Sequence, residues 1–222
     1  VLAAESADDP AVRDNMRKLR SLGRVTIPQL IEQLNTPDRR QFALVATVLL
    51  RLLDNDTLKH FQAGLTSSQP RIRDGLIRVF SRSPRFNPNH LIPLLRDPAI
   101  PKTALIRIFG AHRQRVNVSE LLQEAAQLDT ADQAAVLKVV GEVADEASIP
   151  VLLERLESRN NVLRMHVVQI LARFDTEQVR ETLRKLLVDE NKTVRREALR
   201  ALSAKDVPIS LEALCELLGD PD

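Results

Sequence analysis

Apolar and polar positions recur along this chain with a helical period. A turn rich in Asp, Asn, Ser and Pro is followed by an aliphatic residue, a basic residue, and then apolar residues four, five, seven and eight places on. The segment reads DDPAVRDNM from Asp8, SQPRIRDGL from Ser68, RDPAIPKTAL from Arg96, NNVLRMHVV from Asn160 and ENKTVRREAL from Glu190. TPDRRQFAL from Thr36 and DTADQAAVL from Asp129 are looser copies. Positions 0, 4, 7 and 8 share one face of an α-helix, so every copy predicts one amphipathic helix, called helix B.

The first positions are Val12, Arg39, Ile72, Pro101, Asp132, Leu163 and Val194, at intervals of 27, 33, 29, 31, 31 and 31. Arg39 and Asp132 depart from the aliphatic rule. The next position is basic in Arg13, Arg40, Arg73, Lys102, Arg164 and Arg195, with Gln133 the exception. Nine places on stand the small residues Ser21, Ser81, Gly110, Gly141, Ala172 and Ser203, expected to let a neighbouring helix approach closely. The first B helix carries Arg17 and Arg20 where other copies are apolar, as a polar cap on an array would.

A second amphipathic run, helix A, precedes most B helices. Ile27-Pro28 with Leu30, Ile31 and Leu34 matches Ile149-Pro150 with Leu152, Leu153 and Leu156, and others run from Leu121, Val179 and Leu211. Pro28 and Pro150 suit a first helical turn, where a missing N–H costs little. Thr130 with Gln133 three places on reads as a capping box. The unit is thus a helical hairpin of about 30 residues, which hides its apolar face only by stacking on its neighbours.

This pattern of turn, aliphatic residue and basic residue resembles the HEAT-repeat family, near its short bacterial, phycobilisome-lyase-like variety, over essentially the whole chain. The resemblance implies an all-α fold, an α-α superhelix: a right-handed, armadillo-like solenoid of about seven hairpins. It implies that B helices line the concave face. It also implies that the basic residue at the second position joins turn carboxylates of neighbouring repeats in a ladder, with Asp9, Asp38, Asp97 and Asp189 as partners. Residues 1–222 read as one such array. The chain opens on a B helix without an A helix and closes on helix A before Gly219-Asp220-Pro221-Asp222, so the expectation is a fragment of a longer chain.

Composition narrows the chemistry. Trp and Tyr are absent and Phe occurs six times, which is poor material for antiparallel sheets and base-stacking platforms. A single Cys excludes a disulfide framework and a multi-thiolate zinc site. The greasiest run, Phe42 to Leu53, is broken by Thr47 and Arg51, short of the ~18–20 residues that span a bilayer. With no signal sequence in view, a cytoplasmic setting is expected. Residues 1–113 carry 18 Lys/Arg against 10 Asp/Glu, and residues 114–222 carry 14 against 20. The net charge of +2 therefore hides a basic half and an acidic half.

The six glycines never cluster into a phosphate loop. His60, His90, His112 and His166 lie at least 22 residues apart, and no metal or other cofactor is expected. Cys215 stands where Ile31 and Leu153 stand in other copies and reads as a buried apolar residue. Glu142, Asp145 and Glu146 end a B helix and read as capping and solvation rather than as catalytic residues.

The sixth position of the unit holds Lys18, Arg78, Arg107, Lys138 and Arg200, with Val45 and Gln169 as exceptions, and Arg82, Arg173 and Arg196 lie close to that line. These side chains fall opposite the packed stripe. They form either an ordinary solvated face or a basic concave strip for an acidic partner. The helix from Gln41 to Leu53 adds apolar Val45 and Val48 on its other side: buried by a neighbour, or an exposed patch that a partner covers. The expected function is a non-catalytic protein–protein interaction scaffold, a module of a larger regulatory protein, gripping an acidic protein or peptide. A nucleic-acid-binding module using the same basic strip is the first alternative, weakened by the acidic half and the missing aromatics. A HEAT-like lyase or a regulatory subunit of an enzyme is the second. The pattern does not specify oligomeric state.

Overall fold

The computed structural model describes residues 14, 17, 18 and 21–205. Cys215, the A helix expected from Leu211 and the closing turn lie outside the described residues. The chain forms two compact units, Val1–Arg115 and Val116–Asp222. In the first unit, α1 (Gly23–Glu32) pairs with α2 (Arg39–Leu52), and α3 (Leu58–Leu65) with α4 (Pro70–Arg82). A 3-10 helix (Pro88–Arg96) then pairs with α5 (Lys102–Ala111). The second unit repeats the plan with α6 (Val118–Ala125) and α7 (Thr130–Val143), α8 (Ile149–Arg155) and α9 (Asn161–Leu171), and α10 (Glu177–Lys185) and α11 (Lys192–Ser203). The described residues contain helices, turns and no strand.

The expected stripe forms the core. Leu76, Leu105, Val136, Val167 and Ala198 are buried at the fourth position, and Val79, Ile108, Val139, Ile170 and Ala201 at the seventh. A fully buried Leu, Ile or Val contributes roughly 1.5–3 kcal/mol. Within each unit the hairpins stack in chain order, chiefly through their B helices: α4 packs between α2 and α5, and α9 between α7 and α11.

Side-chain caps explain where the helices begin. Asp38 accepts from the N–H of Arg40 at 2.8 Å, Asn117 from Glu120 at 3.2 Å and Asn160 from Leu163 at 3.1 Å. Two expectations shift. α7 is capped by Asp129, which accepts from Ala131 and Asp132, so Thr130 is the first helical residue. Pro150 does sit in the first turn of α8, but α1 begins at Gly23 and holds Pro28 in its interior. Pro93, without an N–H, interrupts the i→i−4 pattern, and Pro88–Arg96 winds as a 3-10 helix that still buries Leu91, Ile92 and Leu95.

The basic residue at the second position bonds a backbone carbonyl in Arg73, Lys102 and Arg195, whereas Arg164 takes the neighbouring-repeat carboxylate that the family resemblance implied. Arg73 donates to the carbonyl of Ser67 at 2.7 Å, Lys102 to that of Asp97 at 2.6 Å and Arg195 to that of Asp189 at 2.9 Å. Gln133, the non-basic exception, donates to the carbonyl of Ala125 at 2.9 Å. Each side chain satisfies a carbonyl at or just beyond the end of its own A helix, where carbonyls lack intrahelical partners and positive charge is favoured. The neighbouring-repeat carboxylate contact is made by Arg164, which reaches Asp189 at 2.9 Å and Glu190 at 3.2 Å.

The close helix approach also falls elsewhere than expected. A Cβ on Gly141, at the ninth position, would meet Ile170 at 3.5 Å, an ordinary contact. A Cβ on Gly64 would sit 2.5 Å from Leu76 and 2.9 Å from Ile31, so α3 needs the glycine to fit against α1 and α4.

A link between hairpins appears eleven places into the unit. Ser83 donates to the carbonyl of Leu53 at 3.5 Å, His112 Nε2 bonds the carbonyl of Phe80 at 2.8 Å, and Lys205 donates to that of Phe174 at 2.9 Å. Each ties the end of one B helix to the end of the B helix before it. His112 also closes an edge-on run of rings, Phe61, Phe80 and Phe86.

Candidate docking groove on the B-helix face

A groove of about 800 Å³ opens between α2 and α4 in the first unit. Phe42, Ala46 and Leu50 of α2 are half-buried and, with buried Val79 of α4, make its apolar floor. Arg39 of α2 and Arg71, Arg78 and Arg82 of α4 are exposed around it.

The floor depends on one glycine. A Cβ on Gly75 would stand 3.1 Å from the Phe42 ring and 3.1 Å from a Leu34 methyl. Its absence lets α4 close on the ring. The Arg78 guanidinium lies 5.7 Å from the Phe42 centroid, a cation–π contact of about 0.5–1 kcal/mol at an exposed site.

The two carboxylates lining the groove are already engaged. Asp38 caps α2, and Asp74 pairs with Arg107 of α5 at 3.1 Å. Among the described residues Arg39, Arg71 and Arg82 make no hydrogen bond or ion pair. Four guanidinium groups therefore surround an apolar floor lined by two carboxylates, of which Asp74 is paired with Arg107.

The structure brings two of the sequence-selected cations, Arg78 and Arg82, into this groove. Arg107 stands beside it, neutralising Asp74. Lys138 on α7 and Arg196 and Arg200 on α11 are exposed in the second unit. Lys18 is exposed and pairs with Asp14 at 2.8 Å. Val45 and Val48 are half-buried, whereas Leu44 of the same helix is 44% exposed.

Sequence reasoning missed Phe42, Arg39 and Arg71 as lining residues. The signal was the pair of unequal intervals, 27 and 33, around Arg39. The helices α2 and α4 end on caps Leu53 and Ser83, which are 30 residues apart. Phe42, also 30 residues before Ile72, is therefore the true first position of that copy. Arg39 falls on the turn side of the stripe, which is why it is free to line the groove.

None of the other candidate groups lines the groove. His60 is half-buried, His90 exposed, and His166 bonds Gln169 at 3.1 Å. Asp145 accepts from the N–H of Ser148 at 3.2 Å and from its hydroxyl at 2.9 Å, capping the next helix. Among the described residues no three His, Cys, Asp or Glu side chains gather as a metal would require. No described helix is long and apolar enough to cross a membrane.

Residues 149–222 match the family of HEAT repeats, so the resemblance read from the sequence holds over that stretch. Among solved structures, a computationally designed armadillo repeat protein for modular peptide recognition is 14% identical over 80% of this chain and 99% of its own, with a TM-score of 0.37. An engineered protein is 15% identical over 97% of this chain and 69% of its own, with a TM-score of 0.39. No curated protein matches this chain.

Proposed function

We propose that this chain is a non-catalytic scaffold that holds an acidic protein or peptide on its B-helix face, as a module of a larger regulatory protein in the cytoplasm. The observation that supports this reading is the α2–α4 groove: an apolar floor inside a ring of arginines, with Asp74, one of its two carboxylates, paired. Apolar contact supplies affinity there, and unpaired guanidinium groups select carboxylates. The groove lies in the basic half of the chain, where residues 1–113 carry 18 Lys/Arg against 10 Asp/Glu.

The test is a methyl NMR titration of the 222-residue chain with octaglutamate. Ala43, Ala46 and Thr47 resonances are expected to shift, and the shifts to disappear in Arg78→Glu/Arg82→Glu. Shifts centred away from the groove would overturn the reading. So would a stronger response to oligothymidylate whose affinity falls steeply with salt, the signature of phosphate contacts.

A further inference from the structure

Charge is divided along this chain, and the two parts match in spacing as well as in sign. Residues 39–115 carry 14 Lys/Arg against 4 Asp/Glu, and residues 118–157 carry 9 Asp/Glu against 2 Lys/Arg. The groove lies in the first stretch. In the second, the 3-10 helix Glu146–Ser148 runs directly into α8. From residue 146 to residue 157 the exposed positions are Glu146, Ala147, Pro150, Glu154 and Glu157. Ile149 and Leu152 are buried on the other side, which turns this acidic ridge outward. Among the described residues the side chains of Glu146, Glu154 and Glu157 make no hydrogen bond or ion pair. Of the two cations in the stretch, Lys138 belongs to α7 and Arg155 is half-buried.

In the same chain direction, Arg71, Gly75, Arg78 and Arg82 of α4 line the groove at steps 0, 4, 7 and 11. Glu146, Pro150, Glu154 and Glu157 follow at steps 0, 4, 8 and 11. The two series part by one residue, about 1.5 Å of helical rise, which an arginine takes up by changing rotamer. Pro150, the apolar member of the ridge, falls at the same step as Gly75, which lines the groove without a side chain.

Resting on the scaffold reading above, we propose that the acidic partner in the groove is a second copy of this chain, which lays its 146–157 ridge along α4. Glu154 and Glu157 pair with Arg78 and Arg82, and Glu146 with Arg71. Guanidinium–carboxylate hydrogen bonds supply the attraction, and the matched order of charges sets the register. Groove and ridge are different surfaces, so a copy whose groove is filled still offers its ridge to another, unless two copies close reciprocally.

The experiment is sedimentation velocity on the 222-residue chain over a concentration series at low and high salt. Association is expected to grow with concentration, to weaken as salt screens the charges, and to be reversed by added octaglutamate. Arg78→Glu/Arg82→Glu and Glu154→Lys/Glu157→Lys each set like charges together and are expected to weaken association roughly tenfold or more, with far-UV circular dichroism unchanged. All four substitutions in one chain restore opposite signs across the contact and are expected to restore association. A chain that stays monomeric throughout, association indifferent to octaglutamate or to the reversals, or no recovery in the fourfold variant would overturn the proposal. The scaffold reading is tested apart from it: arginine-dependent shifts of Ala43, Ala46 and Thr47 with octaglutamate leave the scaffold standing even if the chain is monomeric, and shifts centred elsewhere overturn both.

Discussion

The Arg107 guanidinium of α5 donates to Asp74 of α4 at 3.1 Å, with both side chains more than half exposed. The pair crosses from one B helix to the next and cancels a carboxylate of the groove. An exposed pair of this kind contributes about 0–1 kcal/mol to stability, so its importance lies in electrostatics.

Arg107→Ala is therefore expected to leave the melting temperature nearly unchanged. It frees Asp74 to repel an acidic ligand and weakens the groove's affinity for acidic peptides by a few-fold. Charge reversal at Arg78 and Arg107 together is expected to abolish such binding, again without unfolding. Calorimetry beside peptide anisotropy checks both. A large drop in melting temperature would make these residues part of a structural ladder.

The glycines separate close fit from ordinary contact. Gly64→Ala forces a methyl against Leu76 and Ile31, both buried, and is expected to destabilise the chain by about 1–3 kcal/mol as an overpacked site. Gly141→Ala meets only an ordinary contact and gains helix propensity of up to ~1 kcal/mol. It is expected to be neutral or stabilising. Urea denaturation of the two variants distinguishes them.

Arg164 and Asp189 form a pair in which both side chains are 9% exposed. The Nε of Arg164 is buried without a hydrogen bond. Arg164→Ala strands a buried carboxylate, and Asp189 keeps only the N–H of Asn191 among its nearby donors. The expected cost is about 3 kcal/mol, the lower end for breaking a buried pair by removing one partner. A denaturation midpoint close to the parent's would refute it.

Asp175 accepts a hydrogen bond from Arg180 at 2.9 Å, which holds its carboxyl below the usual carboxylate range. A depressed folded-state value means that its contribution to stability is complete above the unfolded value, about 3.9. That contribution is lost as pH falls through the folded one. In Arg180→Ala the Asp175 titration, followed by carboxyl NMR, is expected to move upward towards the ordinary range. No movement would show that the hydrogen bond does not govern it.

Most of the helical pattern was readable in advance. The stripe at positions 0, 4, 7 and 8 becomes the buried face in Leu76, Val79 and Phe80, and again in Val194, Ala198, Ala201 and Leu202. The pairing of A with B and the in-order stacking within each unit follow from the same stripe, because an apolar face of one hairpin has only its neighbours to lie against. Arg78 and Arg82 were also picked out, since exposure on the far side of a helix is a matter of periodicity.

What stayed hidden depended on the reach of single side chains and on contacts between helices. Periodicity cannot say whether Arg73 reaches a neighbour's carboxylate or the carbonyl ending its own A helix. The nearer, orphaned acceptor wins, and that is a matter of reach. Nor can it show that Gly75 seats the Phe42 ring, because the clash being avoided lies between α2 and α4. The ordering of amphipathic hairpins is a local property, written in each thirty-residue stretch by side-chain spacing. The groove is not local: its width, its floor and its uncompensated charge arise where two helices meet, and steric fit and pairing there are settled only once the chain has folded.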